Sequence, residues 1–261
     1  MNTNLIILGA GGRMGSTLIR LAANSNDLTI AAAVEPKTRF VSNLPEHCVV
    51  AANLEDCIEK FPHAVIIDFT SASSTMENAK LAARYKNPLV IGTTGLNAEE
   101  KNQLAEYAKQ TPIMMSPNMS VGINVLLDIL PKLTAMLGAD YDTELMEIHH
   151  NLKKDAPSGT ALRLAEAVAE GKKTKLEDVA CYHREGIIGE RPANEIGIQT
   201  LRGGDVVGVH TVYYMGAGER IEITHHAHSR ENFAGGALRA ARWLAKQEAG
   251  RLYSMHDVLK G

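Results

Sequence analysis

The chain has few cysteines. Cys48, Cys57 and Cys181 are scattered and odd in number. That pattern matches neither a disulfide framework nor a zinc site, and it reads as reduced thiols of a cytoplasmic protein. An excess of positive charge is also missing. A formal net charge of −3 gives no bulk basic field, so no nucleic-acid partner is expected. Met1-Asn2-Thr3-Asn4 lacks the basic flank of a secretory signal, and no apolar run is read as reaching the roughly 18 residues that span a bilayer; no membrane association is expected. Internal repeats and low-complexity tracts are absent. One short basic run, Lys172-Lys173-Thr174-Lys175, reads as a solvated helix end. What remains is an ordinary soluble composition, 45% hydrophobic and 22% charged, in 261 residues, more than one ordinary domain needs.

The first half alternates two periods. Leu5-Ile6-Ile7-Leu8 reads as a buried parallel strand that stops at glycine. Gly9-Ala10-Gly11-Gly12-Arg13-Met14-Gly15 follows, and helical spacing resumes at Ser16. A strand, a glycine-rich turn and a helix are the context of a dinucleotide fingerprint: glycine admits a tight turn near a pyrophosphate, and the helix start offers N–H donors. The next strand, residues 28–34, ends at Glu35, placed to bond both ribose hydroxyls of an adenosine. Pro36 and Lys37 follow, with no arginine directly after the acid, which leans towards NADH over NADPH; Arg13 and Lys37 remain able to meet a phosphate. Strands at 64–69, 88–91 and 113–115 alternate with helices at 75–85 and 98–109. That order predicts a doubly wound parallel sheet, whose ligands sit off the carboxyl ends of its strands. Phe69-Thr70, Gly92-Thr93-Thr94 and Pro117-Asn118-Met119 occupy such ends and are expected to face the nicotinamide half of the cofactor.

The texture changes after residue 120. An apolar helix at 121–137 contains Pro131. Strands are expected at 143–148, 196–201, 206–215 and 219–228, with Gly216-Ala217-Gly218 as a hairpin connection, giving a smaller, largely antiparallel open sheet. A partner subunit is one way to cover its apolar face. A closing helix at 233–246 is expected to return to the first domain. The fold class is therefore α/β: an N-terminal Rossmann-like sheet plus a smaller α+β domain with an open mixed or antiparallel sheet. Residues 1–120, completed by 231–261, form the expected dinucleotide-binding domain, and residues 121–230 the substrate-binding and oligomerisation domain.

Residues 147–161 concentrate the chemistry. His149 and His150 stand at a strand end, where neighbours face opposite sides, so only one need face a cleft. Lys153 adds a positive charge. Ser158 or Thr160 can cap the helix that follows, and Gly159 lets a ligand approach the backbone. A helix start beside a lysine suits a dicarboxylate or a phosphate. No third metal ligand stands at a recognisable spacing, so no metal is expected. His225, His226 and His228 form a second cluster, read as structural or interfacial.

Glu147-Ile148-His149-His150-x-x-Lys153-x-Asp155-Ala156-Pro157-Ser158-Gly159-Thr160-Ala161 closely resembles the signature of the 4-hydroxy-tetrahydrodipicolinate reductase (dihydrodipicolinate reductase) family. The resemblance extends to the glycine turn, Asp68-Phe69-Thr70, Ile91 to Gly95, Asn118 to Gly122, Gly204 to Gly208, Ile223 to His225 and Ser229-Arg230. It implies NAD(P)H-dependent reduction of a cyclic dicarboxylate in diaminopimelate and lysine biosynthesis, by a homotetramer. It implies His149 and Lys153 as proton-transfer residues, and His150, Ser158, Gly159 and Thr160 as substrate-carboxylate contacts. It further implies Gly9 to Met14, Glu35, Gly92 to Thr94 and Ser116 to Met119 as cofactor contacts. Pro36 and Ser71 depart from members that carry arginines near the cofactor phosphate. The alternatives are another NAD(P)H oxidoreductase acting on a small dicarboxylate, or a non-catalytic dinucleotide sensor.

Overall fold

The computed structural model describes residues 2–36 and 41–261; Lys37 lies outside the described residues. In chain order the elements are β1 (Thr3–Leu8), α1 (Arg13–Ala23), β2 (Leu28–Val34), β3 (Val49–Ala51), β4 (Val65–Asp68), α2 (Ala72–Tyr85), β5 (Leu89–Ile91), α3 (Ala98–Tyr107), β6 (Ile113–Met115) and α4 (Val121–Leu137). They continue with β7 (Asp142–His149), α5 (Gly159–Gly171), α6 (Leu176–Val179), β8 (Ala180–Cys181), β9 (Ile196–Arg202), β10 (Gly208–Gly216), β11 (Glu219–Ala227), α7 (Glu231–Leu244), β12 (Leu252–Tyr253) and α8 (Met255–Lys260). Two compact units result, one of residues 1–121 with 230–261, the other of residues 122–229.

The first unit is a wholly parallel sheet in the order β12-β6-β5-β4-β1-β2-β3. Alternate residues of its strands serve two cores. Leu5, Ile7, Val65 and Ile67 pack with Leu18 and Ile19 of α1 and Ala237, Leu238 and Leu244 of α7. Ile6, Leu8, Ile66 and Ile91 pack with Ala79 and Ala82 of α2 and Leu104 of α3. Burial on both faces is why these strands read as continuous apolar runs. The order reverses between β1 and β4, so the loops after Leu8 and Asp68 lie side by side: a Cβ on Gly9 would stand 3.1 Å from the Phe69 carbonyl oxygen. Helix α1 begins at Arg13, three residues before the periodicity suggested, because Gly12 is its N-cap.

The second unit is a five-stranded sheet in the order β11-β10-β7-β9-β8. It is mixed, not largely antiparallel: β10 pairs antiparallel with β11 and β7, while β9 pairs parallel with β7 and β8. The long connection from β7 through α5 is what lets β9 return in parallel. One sheet face is covered by α4 and α5, through Ile123, Leu130, Leu164 and Val168 against Leu145, Ile198, Val212 and Tyr214. The β10–β11 hairpin turns at Ala217-Gly218, Gly218 having φ +84°. Helix α4 with its following turn, Val121–Asp140, amends the composition reading: by length and composition it is apolar enough to cross a bilayer. It nevertheless carries Asp128 and Lys132, which pair with each other, and sends Ile123 and Leu130 into the core of this unit.

Candidate functional site

Strand β7 alternates half-buried and buried residues, and its buried row is Thr143, Leu145, Glu147 and His149. The row starts in the apolar core and ends in two titratable side chains on one face, as a period of two requires. The neighbouring strands complete it. In register, His210 of β10 and Thr200 of β9 lie beside Glu147, and Arg202 of β9 lies beside His149. Glu147 is fully buried. Its Oε2 meets His149 Nδ1 at 2.5 Å and accepts from Arg202 Nη1 at 2.8 Å; its Oε1 accepts from Arg202 Nη2 at 2.9 Å and from the Ser158 N–H at 2.9 Å. Burial by itself would raise the Glu147 carboxyl, but hydrogen bonds from His149, Arg202 and the Ser158 N–H outweigh it and hold the group well below the usual carboxylate range.

Ser158 is the N-cap of α5: its Oγ accepts from the Ala161 N–H at 3.1 Å and lies 3.1 Å from His210 Nε2. Burial, with the charge of His149 second, pushes the His210 imidazole down to about 3, so it is neutral at pH 7. The rings of His149 and His210 meet edge to face at 5.1 Å. Gly159 and Thr160 form the first turn of α5, and a Cβ on Gly159 would stand in open space. The fold therefore does not require glycine there for packing, and a side chain would only take room beside the helix start. His150 follows β7, half-buried, with its Nδ1 buried and without a hydrogen-bond partner among the described residues. Lys153 Nζ pairs with Asp155 Oδ1 at 2.9 Å, and that hydrogen bond holds the Asp155 carboxyl low. In the second histidine cluster His226 and His228 stack at 6.2 Å, with β11 ending at Ala227 between them, while His225 lies in register beside His210.

In the first unit the glycine turn is tightly determined. Gly9 has φ +69°, Ala10 is buried, and a Cβ on Gly15 would stand 2.2 Å from the Gly9 oxygen. Gly12 caps α1 with no side chain in the way, and Arg13 is exposed with Met14 half-buried behind it. Glu35 is buried at the end of β2, and its Oε2 accepts the Gly11 N–H at 2.8 Å, tying the acid to the turn. A turn with this backbone, an open helix start and a carboxylate at the neighbouring strand end fits a dinucleotide. Gly92 is required by Phe69, whose ring would lie 2.2 Å from an added Cβ. The Thr93 hydroxyl is spent inside the protein on Asp68, Thr75 and the Thr70 N–H. Thr94 is exposed, as is Pro117; Ser116 Oγ donates to the Asn118 carbonyl, Asn118 Oδ1 accepts from the Ser120 N–H, and Met119 is buried against α7.

Sequence reasoning left three members of the second-unit constellation without a role. Glu147 stood in the central stretch and carried a usable signal, the i, i+2 spacing to His149 on a strand. Arg202 lies 55 residues from Glu147 and His210 lies 52 from Ser158, and only the sheet register brings them together. A separate cavity of about 520 Å³, lined by Cys181, Arg184 and Arg191 among others, is a poorer candidate. Its arginines are already engaged by Glu144, Glu195 and Asp142. Among the described residues, no group of three His, Cys, Asp or Glu is arranged to hold a metal.

Known proteins share this organisation. The family model described as "Dihydrodipicolinate reductase, N-terminus" matches residues 3–119, and that described as "Dihydrodipicolinate reductase, C-terminus" matches residues 122–259. The chain is 59% identical over 259 residues to a 4-hydroxy-tetrahydrodipicolinate reductase of Nitratidesulfovibrio vulgaris (strain DSM 19637 / Miyazaki F), covering 99% of this chain and 100% of the relative. It is 51% identical over 259 residues to that of Lawsonia intracellularis (strain PHE/MN1-00), with the same coverage. Among solved structures, a dipicolinate-bound dihydrodipicolinate reductase from Paenisporosarcina sp. TG-14 superposes with a TM-score of 0.79 at 24% identity, over 98% of this chain and 99% of the other.

Proposed function

Because the chain belongs to the dihydrodipicolinate reductase family, an NAD(P)H-dependent reductase of diaminopimelate and lysine biosynthesis, we propose that it carries out that reduction with His149 and Lys153 as its proton-transfer residues. The observation that carries this reading is the His149–Glu147–Arg202 array, built on a fully buried carboxylate beside the capped start of α5. The substrate is a cyclic dicarboxylate with a conjugated imine once water is lost. The N–H groups of Gly159 and Thr160, the Ser158 cap and His150 hold its carboxylates, and Lys153 adds charge. Holding the ring in one orientation contributes to rate as well as binding. The bound nicotinamide supplies a hydride to C4. Charge then accumulates on the neighbouring carbon, and Lys153 or His149 protonates it, help usually worth about 10²–10⁴-fold.

Gly9 to Met14, Glu35, Gly92 to Thr94 and Ser116 to Met119 hold the cofactor in this reading, the buried Thr93 through its backbone. NADH is the preferred form, since Glu35 is followed by Pro36 and Ser71 stands where some members carry arginine. The protein is cytoplasmic and works as a homotetramer; the exposed apolar side chains Val125, Ile129 and Met136 on α4 and Leu201 on β9 suit burial against other copies. The experiment is reduced-cofactor oxidation, NADH against NADPH, with freshly generated substrate. Rapid turnover favouring NADH is the expected result. Binding of NADH without turnover would send the assignment to another dicarboxylate or to a sensor.

A further inference from the structure

We infer that Glu147 is a positioning residue that holds His149 in one tautomer and one orientation, with Arg202 and the Ser158 N–H holding Glu147 in turn. The inference rests on the proton-transfer reading of His149 and deepens it. A carboxylate held ionised is an acceptor only, so the proton of a neutral His149 sits on Nδ1, and Nε2 is left as the nitrogen available for proton exchange. Nε2 points past Gly208, where an added Cβ would stand 3.0 Å away. The contact spans two residues of one strand, so the backbone fixes it.

A purely structural bolt between β7 and β9 explains the array poorly. Taking a carboxylate to zero exposure costs desolvation that an apolar pair of similar volume avoids, so a buried ion pair is weak evidence for stability. The connectivity is also specific. Each Glu147 oxygen takes one Arg202 nitrogen; Oε2 also meets the histidine, and Oε1 accepts the substrate-helix N–H and, at 3.4 Å, the Thr200 hydroxyl. Glu147 thereby ties the proton-transfer group to the helix start proposed to hold the substrate. The charged and titratable groups around His149 are Glu147 on its own strand, Arg202 on β9, neutral His210 on β10, and His150 and Lys153 in the chain that follows.

The test is a double-mutant cycle in the full chain, using Glu147→Gln, His149→Ala and the double variant, with NADH binding and thermal unfolding as checks on folding. Glu147→Gln is expected to lower kcat by about 10- to 100-fold, the usual range for losing an orienting partner, and to change kcat by less than about 2-fold when His149 is already alanine. Equal factors in both backgrounds overturn the role of Glu147. A His149→Ala protein with wild-type kcat overturns the reading beneath it instead. If Glu147→Gln does not fold, ¹⁵N-histidine spectra of the wild type decide: neutral His149 protonated on Nδ1 supports the inference, and on Nε2 overturns it.

Discussion

Acid should weaken this fold through His210 well before its buried carboxylates respond. His210 is 4% exposed, and its folded pKa is depressed from 6.5 to about 3, first by burial and then by the charge of His149. Below about pH 6.5 the unfolded chain binds a proton at this position that the folded chain does not, so stability is complete above that pH and is lost as the pH falls towards 3. The loss approaches about 1.4 kcal/mol per pH unit. Between about pH 7.5 and pH 5 it amounts to roughly 2 kcal/mol. Glu147, whose pKa is also depressed, contributes in the same direction but only once the pH falls into the carboxylate range. Urea unfolding at the two pH values measures the effect, and His210→Gln isolates it, since each protein is compared with itself and every other histidine is common to both. The wild type should lose about 2 kcal/mol more than the variant on acidification. Equal losses would refute the claim that His210 is held neutral by its surroundings.

Three further outcomes follow from the geometry. Gly92→Ala should cost about 1–3 kcal/mol of stability, because its Cβ would enter the Phe69 ring, and adding Phe69→Ala should relieve the clash, leaving the cost of the truncated ring; thermal melts of the single and double variants check it. Glu35→Ala removes the acceptor of the Gly11 N–H, so the turn loosens and NADH affinity should fall more than NADPH affinity, read by titration of each cofactor. His149→Ala should lower kcat by up to about 10²–10⁴-fold, whereas Thr160→Val should raise KM with kcat nearly kept; steady-state kinetics showing both variants equal to wild type would sink both roles.

Local sequence determined the five inner strands of the first unit's sheet, β6, β5, β4, β1 and β2, because burial on both faces demands unbroken apolar runs. It also determined the glycine turn, since Gly9 takes φ +69° and Gly15 meets the backbone of Gly9 and Ala10, and it narrowed the start of α5 to Ser158 or Thr160, between which the structure chose Ser158. Strands β3, β8 and β12 are not legible in the sequence: β8 and β12 have two residues each, and β3 exposes its middle residue, Val50, so none offers a buried apolar run like those of β5 and β6. The parallel return of β9 was hidden for another reason, as pairing partners are chosen by crossover length and packing rather than by alternation. Tertiary structure alone decided the polar array around Glu147. Its carboxylate is neutralised by an arginine from another strand, and its neighbour His210 is neutral because the sheet and α5 bury it. Burial and charge partners arise from distances across the fold, and a linear sequence carries no such distances until the register of the strands is set.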